Sequence, residues 1–392
     1  MTSNKLSYES VGASADKKGL HKILENLGHH GVEPYFCKLT EDLNGDENFK
    51  SFIHCDGAGT KSIISYLHYK ATGSVEYFKR LAHDALFMNL DDVYCVGIPQ
   101  SLLYANALAR NAKLIPDEAI QEIISEYIAL GKKMQSLGIP LNISGGETAD
   151  CGDVVRTLLV DGTLVGRIQA DQLVSPSNIV SGDVVIGLSS SGKTTYEDVV
   201  NSGIGSNGLS LARHALLSKE NAVSFPEILD PNLGEDNSYQ GPFKVSDTPE
   251  GLGMSIGDAL SSPTRTYSPV LKAILESEGK NIKGIIHLTG GAHGKVLRFL
   301  NNVKIVKDKL PAPAPIFSLI QTTAEIPSKE MYRVFNMGIR MEVYCKKESA
   351  DNVLAICKSF NLDAGVVGHV EESDKPMVEL RLGDGEVVEY TL

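Results

Sequence analysis

Apolar positions recur along this chain in two rhythms. Between Val75 and Cys95, the residues Phe78, Ala82, Ala85 and Met88 return at three- and four-residue steps, which predicts a helix. Pro116 and Asp117 open a second predicted helix, whose stripe is Ile120, Ile123, Ile124, Tyr127, Ile128 and Met134 and whose end falls near Gly138. Short apolar runs bounded by Gly and polar residues read as strands instead: Ser51–Cys55, Ile139–Ile143, Val184–Leu188 and Gly284–Leu288. Arg156–Ile168 is strand-like on both sides of Asp161-Gly162. Turn chemistry reads that dipeptide as a hairpin, and one long bulged strand is the competing reading.

Residues 218–258 are rich in Pro, Gly, Asp and Glu and read as a long surface excursion. Beyond them come a helix after Pro269, a rigid extended connector at Pro311–Pro315, and strand, helix and strands at about 339–345, 348–360, 364–371, 377–381 and 386–390. The polar stretch 169–182 separates the two halves. The pattern predicts a mixed α/β (α+β) fold in two domains, residues 1–172 and 173–392.

Composition narrows the function classes. In 392 residues, 42% are hydrophobic and 22% charged, which is ordinary for a globular chain. The net charge of -12 and the lack of a basic cluster argue against general binding to nucleic acid or an anionic membrane. Phosphates can still be held by local Gly-rich backbone and metal ions. The 6 cysteines are scattered without a CxxC pair, so neither a zinc site nor a disulfide framework is expected. No signal-peptide pattern opens the sequence and no apolar run is long enough to span a membrane, so the expected home is the cytoplasm.

Four Gly-rich polar stretches follow predicted strands and read as loops: Asp56–Lys61, Ser144–Asp150, Ser189–Gly208 and Thr289–Lys295. Such loops let backbone N–H groups approach a phosphate, although a single one is more often a tight turn. Acids accompany them: Asp56, Asp84, Asp91, Asp92, Glu147 and Asp150. Asp84, Asp91 and Asp92 interrupt an otherwise apolar helix; they make either a solvated acidic face or buried carboxylates needing a partner such as Mg²⁺. His54, His83, His287, His293 and His369 show no metal-ligand spacing and read as structural.

Gly187–Thr194 (GLSSSGKT) fits the phosphate-loop pattern GxxxxGK[ST] and follows a strand. The stretch after Thr194 is too short for the helix such a loop opens, so the match reads as accidental.

Read together, the motifs resemble the phosphoribosylformylglycinamidine cyclo-ligase family. They are Ser7-Tyr8 with Gly12, DGAGTK at Asp56–Lys61, DALFMNLDD at Asp84–Asp92, and GGETAD at Gly145–Asp150. GLSSSG at Gly187–Gly192, Ser206-Asn207-Gly208, PTRTY at Pro263–Tyr267, HLTGG at His287–Gly291 and EMYRVFNMG at Glu330–Gly338 follow in order. The last three separate this family from its wider superfamily, which includes selenophosphate synthetase and thiamine-monophosphate kinase.

The resemblance implies a smaller N-terminal domain that binds ATP and Mg²⁺ and whose sheet pairs with a second copy in a homodimer. It implies a larger C-terminal domain on a mixed sheet that binds the small-molecule ribonucleotide substrate. It favours the single bulged strand at 156–168. The implied reaction is ATP-dependent closure of formylglycinamidine ribonucleotide to aminoimidazole ribonucleotide. Lys61, Asp84, Asp92 and Glu147 are the implied catalytic residues, with Asp56, Asp84, Asp92 and Glu147 on Mg²⁺. Asp56, Gly57, Gly59, Thr60, Lys61, Gly145 and Gly146 are implied to hold ATP, with Lys61 facing its phosphates. Ser206, Asn207, Thr289, Gly290, Gly291 and Asn336 are implied to hold the ribonucleotide; Thr289 has helix capping as its alternative role.

Three departures stand out. Leu43–Phe49 carries one Gly where the family has a Gly-rich segment, Gly205 replaces the family's histidine, and Lys193–Gly203 is inserted. The same superfamily offers a small-molecule kinase like thiamine-monophosphate kinase as an alternative, and Gly205 with the missing Gly-rich segment adds a catalytically silent nucleotide-binding subunit as a second.

Overall fold

The structure is a computed structural model that describes residues 6–14, 23, 35–234 and 237–391. Its first half is a five-stranded sheet in the order Thr40–Glu41, Phe49–Gly57, Leu158–Gln169, Pro99–Arg110, Leu141–Asp150. Pairing is antiparallel except between the last two strands, which run parallel. The helices Arg80–Tyr94 and Asp117–Ser136 pack on one face. Alternation along the strands explains which face: Phe52, Leu102, Tyr104, Leu108, Val160 and Leu164 are buried beneath the helices. The intervening Ile53, Leu103 and Leu159 point the other way and are 63%, 49% and 40% exposed. One sheet face is thus covered and the other is open and partly apolar.

The second half is a seven-stranded sheet in the order Val387–Thr391, Met377–Arg381, Val303–Lys307, Ala364–Glu372, Val184–Ser189, Ile339–Cys345, Ile282–His287. Val303–Lys307 and Met377–Arg381 pair in parallel and the other neighbours antiparallel. Every residue of Ile339–Cys345 is buried, and that strand runs into the site described below. Two sheets, each with its helices, bear out the mixed α/β class. Among the described residues no helix is long and apolar enough to cross a membrane.

Several expectations change. Leu158–Gln169 is one strand, and its register with Phe49–Gly57 runs unbroken through Asp161 and Gly162, so neither the hairpin nor the bulge forms there. Gly162 is required for space: a Cβ there would lie 1.9 Å from the Tyr104 hydroxyl. Ser144–Asp150 is likewise not a loop but the second part of the edge strand Leu141–Asp150. Gly146 answers the same kind of constraint, because a Cβ would lie 1.4 Å from Oδ1 of Asn106. Pro315 opens the helix Pro315–Ala324 rather than closing a connector. Among its described residues the excursion 218–258 holds short helical segments, Lys219–Ser224, Pro226–Ile228 and the start of Ile256–Leu260.

The phosphate-loop lookalike is a small hairpin. Ser191–Gly192 pairs antiparallel with Asn201–Ser202, and the exposed Lys193 donates to the backbone oxygen of Asp198 at 2.9 Å. No helix begins there, so no N-terminal dipole faces the loop.

Candidate active site

The helix Arg80–Tyr94 is buried nearly all round, with Asp84, Asn89, Asp91 and Asp92 among its buried residues. That excludes the solvated acidic face. Each carboxylate in such a helix needs its own donors, and each finds a different set.

Asp84 is met from three directions. The Lys61 ammonium donates to its Oδ1 at 2.6 Å, Ser206 Oγ donates at 3.0 Å, and the Thr264 hydroxyl donates to the same oxygen. Lys61 also donates to the backbone oxygen of Ser262 at 2.6 Å and is wholly buried. Two of its three N–H groups are thus committed, one to the Asp84 carboxylate and one to the backbone. Burial pushes the Lys61 ammonium below its usual range, against the pull of Asp84. The other Asp84 oxygen, Oδ2, is buried and has no hydrogen-bond partner.

Asp91 is a tie between the halves. Its carboxylate accepts from Thr266 Oγ1 at 2.7 Å, from Tyr267 N at 3.0 Å, from Ser268 N at 3.1 Å and from Ser268 Oγ at 2.7 Å. Burial pushes Asp91 up to about 7, opposed by the Thr266 and Ser268 hydroxyls. With only donors around it, the anion is the form that fits.

Asp92 sits between two histidines. His287 Nδ1 lies 2.6 Å from Oδ1 and His54 Nε2 lies 3.4 Å from Oδ2. Burial alone would raise Asp92, but the Lys295 charge and the two imidazoles hold it well below the usual carboxylate range. Arg340 Nε donates to His287 Nε2 at 3.0 Å; an arginine only donates, so Nδ1 carries the His287 proton and gives it to Asp92. Burial lowers His287 to about 4, in keeping with that neutral ring. His54 faces acceptors with both nitrogens, Asn89 Oδ1 at 2.8 Å and Asp92, which overcome burial and raise it. These two histidines belong to the site, a correction to their structural reading. His83 pairs with Glu126, His369 with Glu371, and His293 lies beside Lys307 and Glu342, as structural histidines do.

Asp56 ends the strand Phe49–Gly57 on the helix side, beside Asp92. Burial and the Asp92 charge raise it, while the Gly57 N–H, donating at 2.7 Å, pulls the other way. Gly57 must lack a side chain because a Cβ would lie 1.7 Å from Oδ1 of Asp161. Gly59 (φ 56) then turns into the short 3₁₀ segment Gly59–Lys61 that carries Thr60 and Lys61.

Glu147 stands apart. In the sheet register Gly57, Asp161, Ala107 and Glu147 form one row, so Glu147 is three strand spacings, roughly 14 Å, from Gly57. It also points to the open face, opposite to Asp56, and is exposed. Within one chain it does not join Asp56, Asp84 and Asp92. Gly145 and Gly146 share its edge strand and line a groove with Ile124, Ile128 and Ile143. Asp150 is engaged by Arg110 at 2.7 Å.

The substrate-side residues divide. Ser206 meets Asp84 as above, and Asn207 carries a buried Oδ1 with no partner. Asn336 is spent on its surroundings: Oδ1 accepts from Ser190 Oγ and Gly338 N, each at 2.9 Å, and Nδ2 donates to Gly203 O at 2.9 Å. Thr289 does not cap the following 3₁₀ segment, Ala292–Phe299; its hydroxyl accepts from the Lys295 ammonium. Gly291 (φ 86) opens that segment, and Gly290 before it is exposed.

Lys295, His54, His287 and Arg340 were missed among the site residues. The departure at Gly205 now has a physical account. A Cβ at Gly205 would lie 1.4 Å from Nη1 of Arg340, so an arginine from the strand Ile339–Cys345 fills the space beside it.

Among the described residues no three His, Cys, Asp or Glu side chains form a metal cage. Magnesium does not require one, since it is usually held by one or two carboxylates together with waters and ligand phosphates. The partnerless Oδ2 of Asp84 and Oδ1 of Asn207 are oxygen acceptors that suit such an ion.

This is a mixed α/β fold on two main sheets with an acidic, Gly-lined site where its two halves meet. It matches two family models, the AIR synthase related protein N-terminal domain over residues 42–168 and the C-terminal domain over residues 180–381. The chain belongs to the AIR synthase related protein family. It is 32% identical, over 82% of its length and 78% of the relative's, to the phosphoribosylformylglycinamidine cyclo-ligase of Methanocaldococcus jannaschii, and it is an enzyme of that ligase kind.

Solved structures share the fold at low identity. AaThiL complexed with AMPPCP and TMP superposes with a TM-score of 0.55 at 16% identity, covering 96% of this chain and 95% of the other. T. maritima PurL complexed with FGAR gives 0.53 at 15% identity, covering 99% of this chain; the chain spans about half, 50%, of that protein's length.

Proposed function

We propose that the enzyme closes formylglycinamidine ribonucleotide to aminoimidazole ribonucleotide at the cost of ATP, in purine biosynthesis in the cytoplasm. The observation that carries this reading is the convergence on Asp84 of Lys61 from DGAGTK, Ser206 from the Ser-Asn-Gly motif and Thr264 from PTRTY. Motifs spread over some two hundred residues meet at one carboxylate.

The difficulty of the reaction is that an amide oxygen leaves poorly. Attack of the formamide oxygen on the γ-phosphorus of ATP breaks the bond to ADP and makes that oxygen part of a phosphate ester. The amidine nitrogen then attacks the former amide carbon, the carbon–oxygen bond breaks, phosphate departs and the nitrogen gives up its proton. Both ligands are anionic and the second step is intramolecular, so the protein's work is to position them and offset charge.

In this reading Asp56, Asp84 and Asp92 hold magnesium, which would neutralise charge on the phosphates. Residues 1–172 form the nucleotide domain and 173–392 the ribonucleotide domain, with the Ser206–Asn207 and Thr289–Gly291 loops against the ribonucleotide. Lys61 and His287 act through the carboxylates they fix. The open sheet face carrying Ile53, Leu103 and Leu159 pairs with a second copy, and Glu147 lies on that face.

The test is ADP formation and phosphate release by the purified chain with ATP and Mg²⁺, run with formylglycinamidine ribonucleotide, with thiamine monophosphate, and with neither. ADP and phosphate in equal amounts, both requiring the first ligand, are expected. ADP formation without free phosphate that requires thiamine monophosphate, or no ADP in any arm, would reject the reading.

A further inference from the structure

We propose that Arg340 is a phosphate-anchoring residue of this site, its guanidinium binding an anionic oxygen of the ligand beside Gly205. The inference rests on the function proposed above and adds a ligand contact from a residue outside the family motifs. Arg340 is 1% exposed and is the largest of the fully buried side chains. Its Nε donates to His287 and its Nη2 to the sulfur of Met88, 2.8 Å away. A guanidinium has five N–H groups, so these two contacts leave three without an acceptor. Nη1 makes no hydrogen bond to any described residue, and no carboxylate of the described residues forms an ion pair with Arg340.

The Arg340 charge reaches Asp91 through space and Asp92 through His287, but no carboxylate of the described residues pairs with it directly. A buried cation without a direct partner is unfavourable, and arginine is the side chain whose fork matches a phosphate. The surroundings show where the acceptor arrives. Nη1 lies against Gly205, whose missing side chain leaves the guanidinium next to the loop Gly205–Gly208. On that loop Asn207 Oδ1 is buried and unpartnered, and Ser206 holds Asp84, whose Oδ2 is equally unpartnered. The consecutive residues Gly205, Ser206 and Asn207 thus adjoin the Arg340 guanidinium, bind Asp84 beside its unpartnered oxygen, and carry an unpartnered oxygen of their own. A phosphate ester satisfies them together: its anionic oxygen meets Arg340, while a hydroxyl or metal-bound water meets the acceptors. The phosphate is either that of the nucleotide or the 5′-phosphate of the ribonucleotide.

The experiment is calorimetric titration of the full chain and of Arg340→Gln and Arg340→Lys with a non-hydrolysable ATP analogue, formylglycinamidine ribonucleotide and inorganic pyrophosphate. One ligand should bind Arg340→Gln about ten-fold or more weakly, with partial recovery in Arg340→Lys. Loss confined to the ATP analogue assigns the anchor to the nucleotide, and loss confined to the ribonucleotide assigns it to the 5′-phosphate. Affinities within about two-fold for all three probes, or no binding of any probe by the parent chain, overturn the proposal. If Arg340→Gln does not fold, crystals of the parent chain with each ligand decide. A phosphate oxygen about 3 Å from the guanidinium supports the anchor, and phosphates beyond hydrogen-bond reach in both complexes reject it. Arg340-dependent pyrophosphate binding by a chain that ignores the ribonucleotide would sink the cyclo-ligase reading and leave this one standing.

Discussion

Lys61 and Asp84 form an ion pair 2.6 Å long in which neither side chain retains any solvent contact. The pair joins a short segment after the first long strand to the helix Arg80–Tyr94. Removing one partner strands the other as a buried charge, which costs about 3–5 kcal/mol. Lys61→Met is expected to lose that much in urea unfolding, and replacing both residues together should cost less than the sum. An unchanged unfolding midpoint for Lys61→Met would show that the pair holds nothing.

Asp91 makes a different prediction. Its donors Thr266, Tyr267 and Ser268 all come from the other half of the chain. In Asp91→Asn one oxygen becomes an NH₂ that confronts these donors, so stability should fall by about 2–4 kcal/mol. The loss should appear as a loosening between halves, read as faster amide exchange at Tyr267 and Ser268. Parent-like exchange at both residues would contradict the role given to Asp91.

The open sheet face predicts assembly. Leu103 and Leu159 lie on adjacent antiparallel strands, on the face away from the helices, and both are exposed. The Leu103→Glu, Leu159→Lys double variant should run as a monomer in light scattering while the parent runs as a dimer. A parent that is monomeric at micromolar concentration would remove this face from consideration as the interface.

Acid sensitivity follows from His214. Burial lowers it to about 4, with the Arg213 charge acting in the same direction, and its Nδ1 lies 2.7 Å from the backbone oxygen of Asn237. A histidine held below its free value stays neutral in the fold while the unfolded chain takes up the proton. Its contribution is therefore intact above about pH 6.5 and is lost as pH falls toward about 4. The thermal midpoint should drop across that window, and His214→Gln should flatten the slope. A His214 ring that titrates at its free value by NMR would refute this.

The sequence made the elements legible and left their partners hidden. The helix Arg80–Tyr94 and the strand Val184–Ser189 are visible because periodicity is local. The donors on Asp84 and Asp91 are not, since no spacing rule links position 84 to 206 and 264, or 91 to 266 and 268. Glycine misled where it serves packing: Gly146 and Gly162 mimic turn residues yet make room for Asn106 and Tyr104 inside strands. Glu147 was grouped with the other acids by motif, and only the two-residue alternation of its strand reveals that it faces away. The absent histidine at Gly205 was plain in the sequence. Its physical counterpart, Arg340, lies 135 positions later, and only the fold brings the two together.

The bond from Ser268 to Asp91 spans 177 residues of chain. At about 5–20 residues per second, synthesis delivers the donor roughly 10 to 35 seconds after the acceptor has been made. Through that interval the helix bearing Asp84, Asp91 and Asp92 lacks most of the groups that make its burial tolerable. During translation the first half thus carries three carboxylates meant for burial before their donors at Ser206, Thr264, Thr266, Ser268 and His287 have been made.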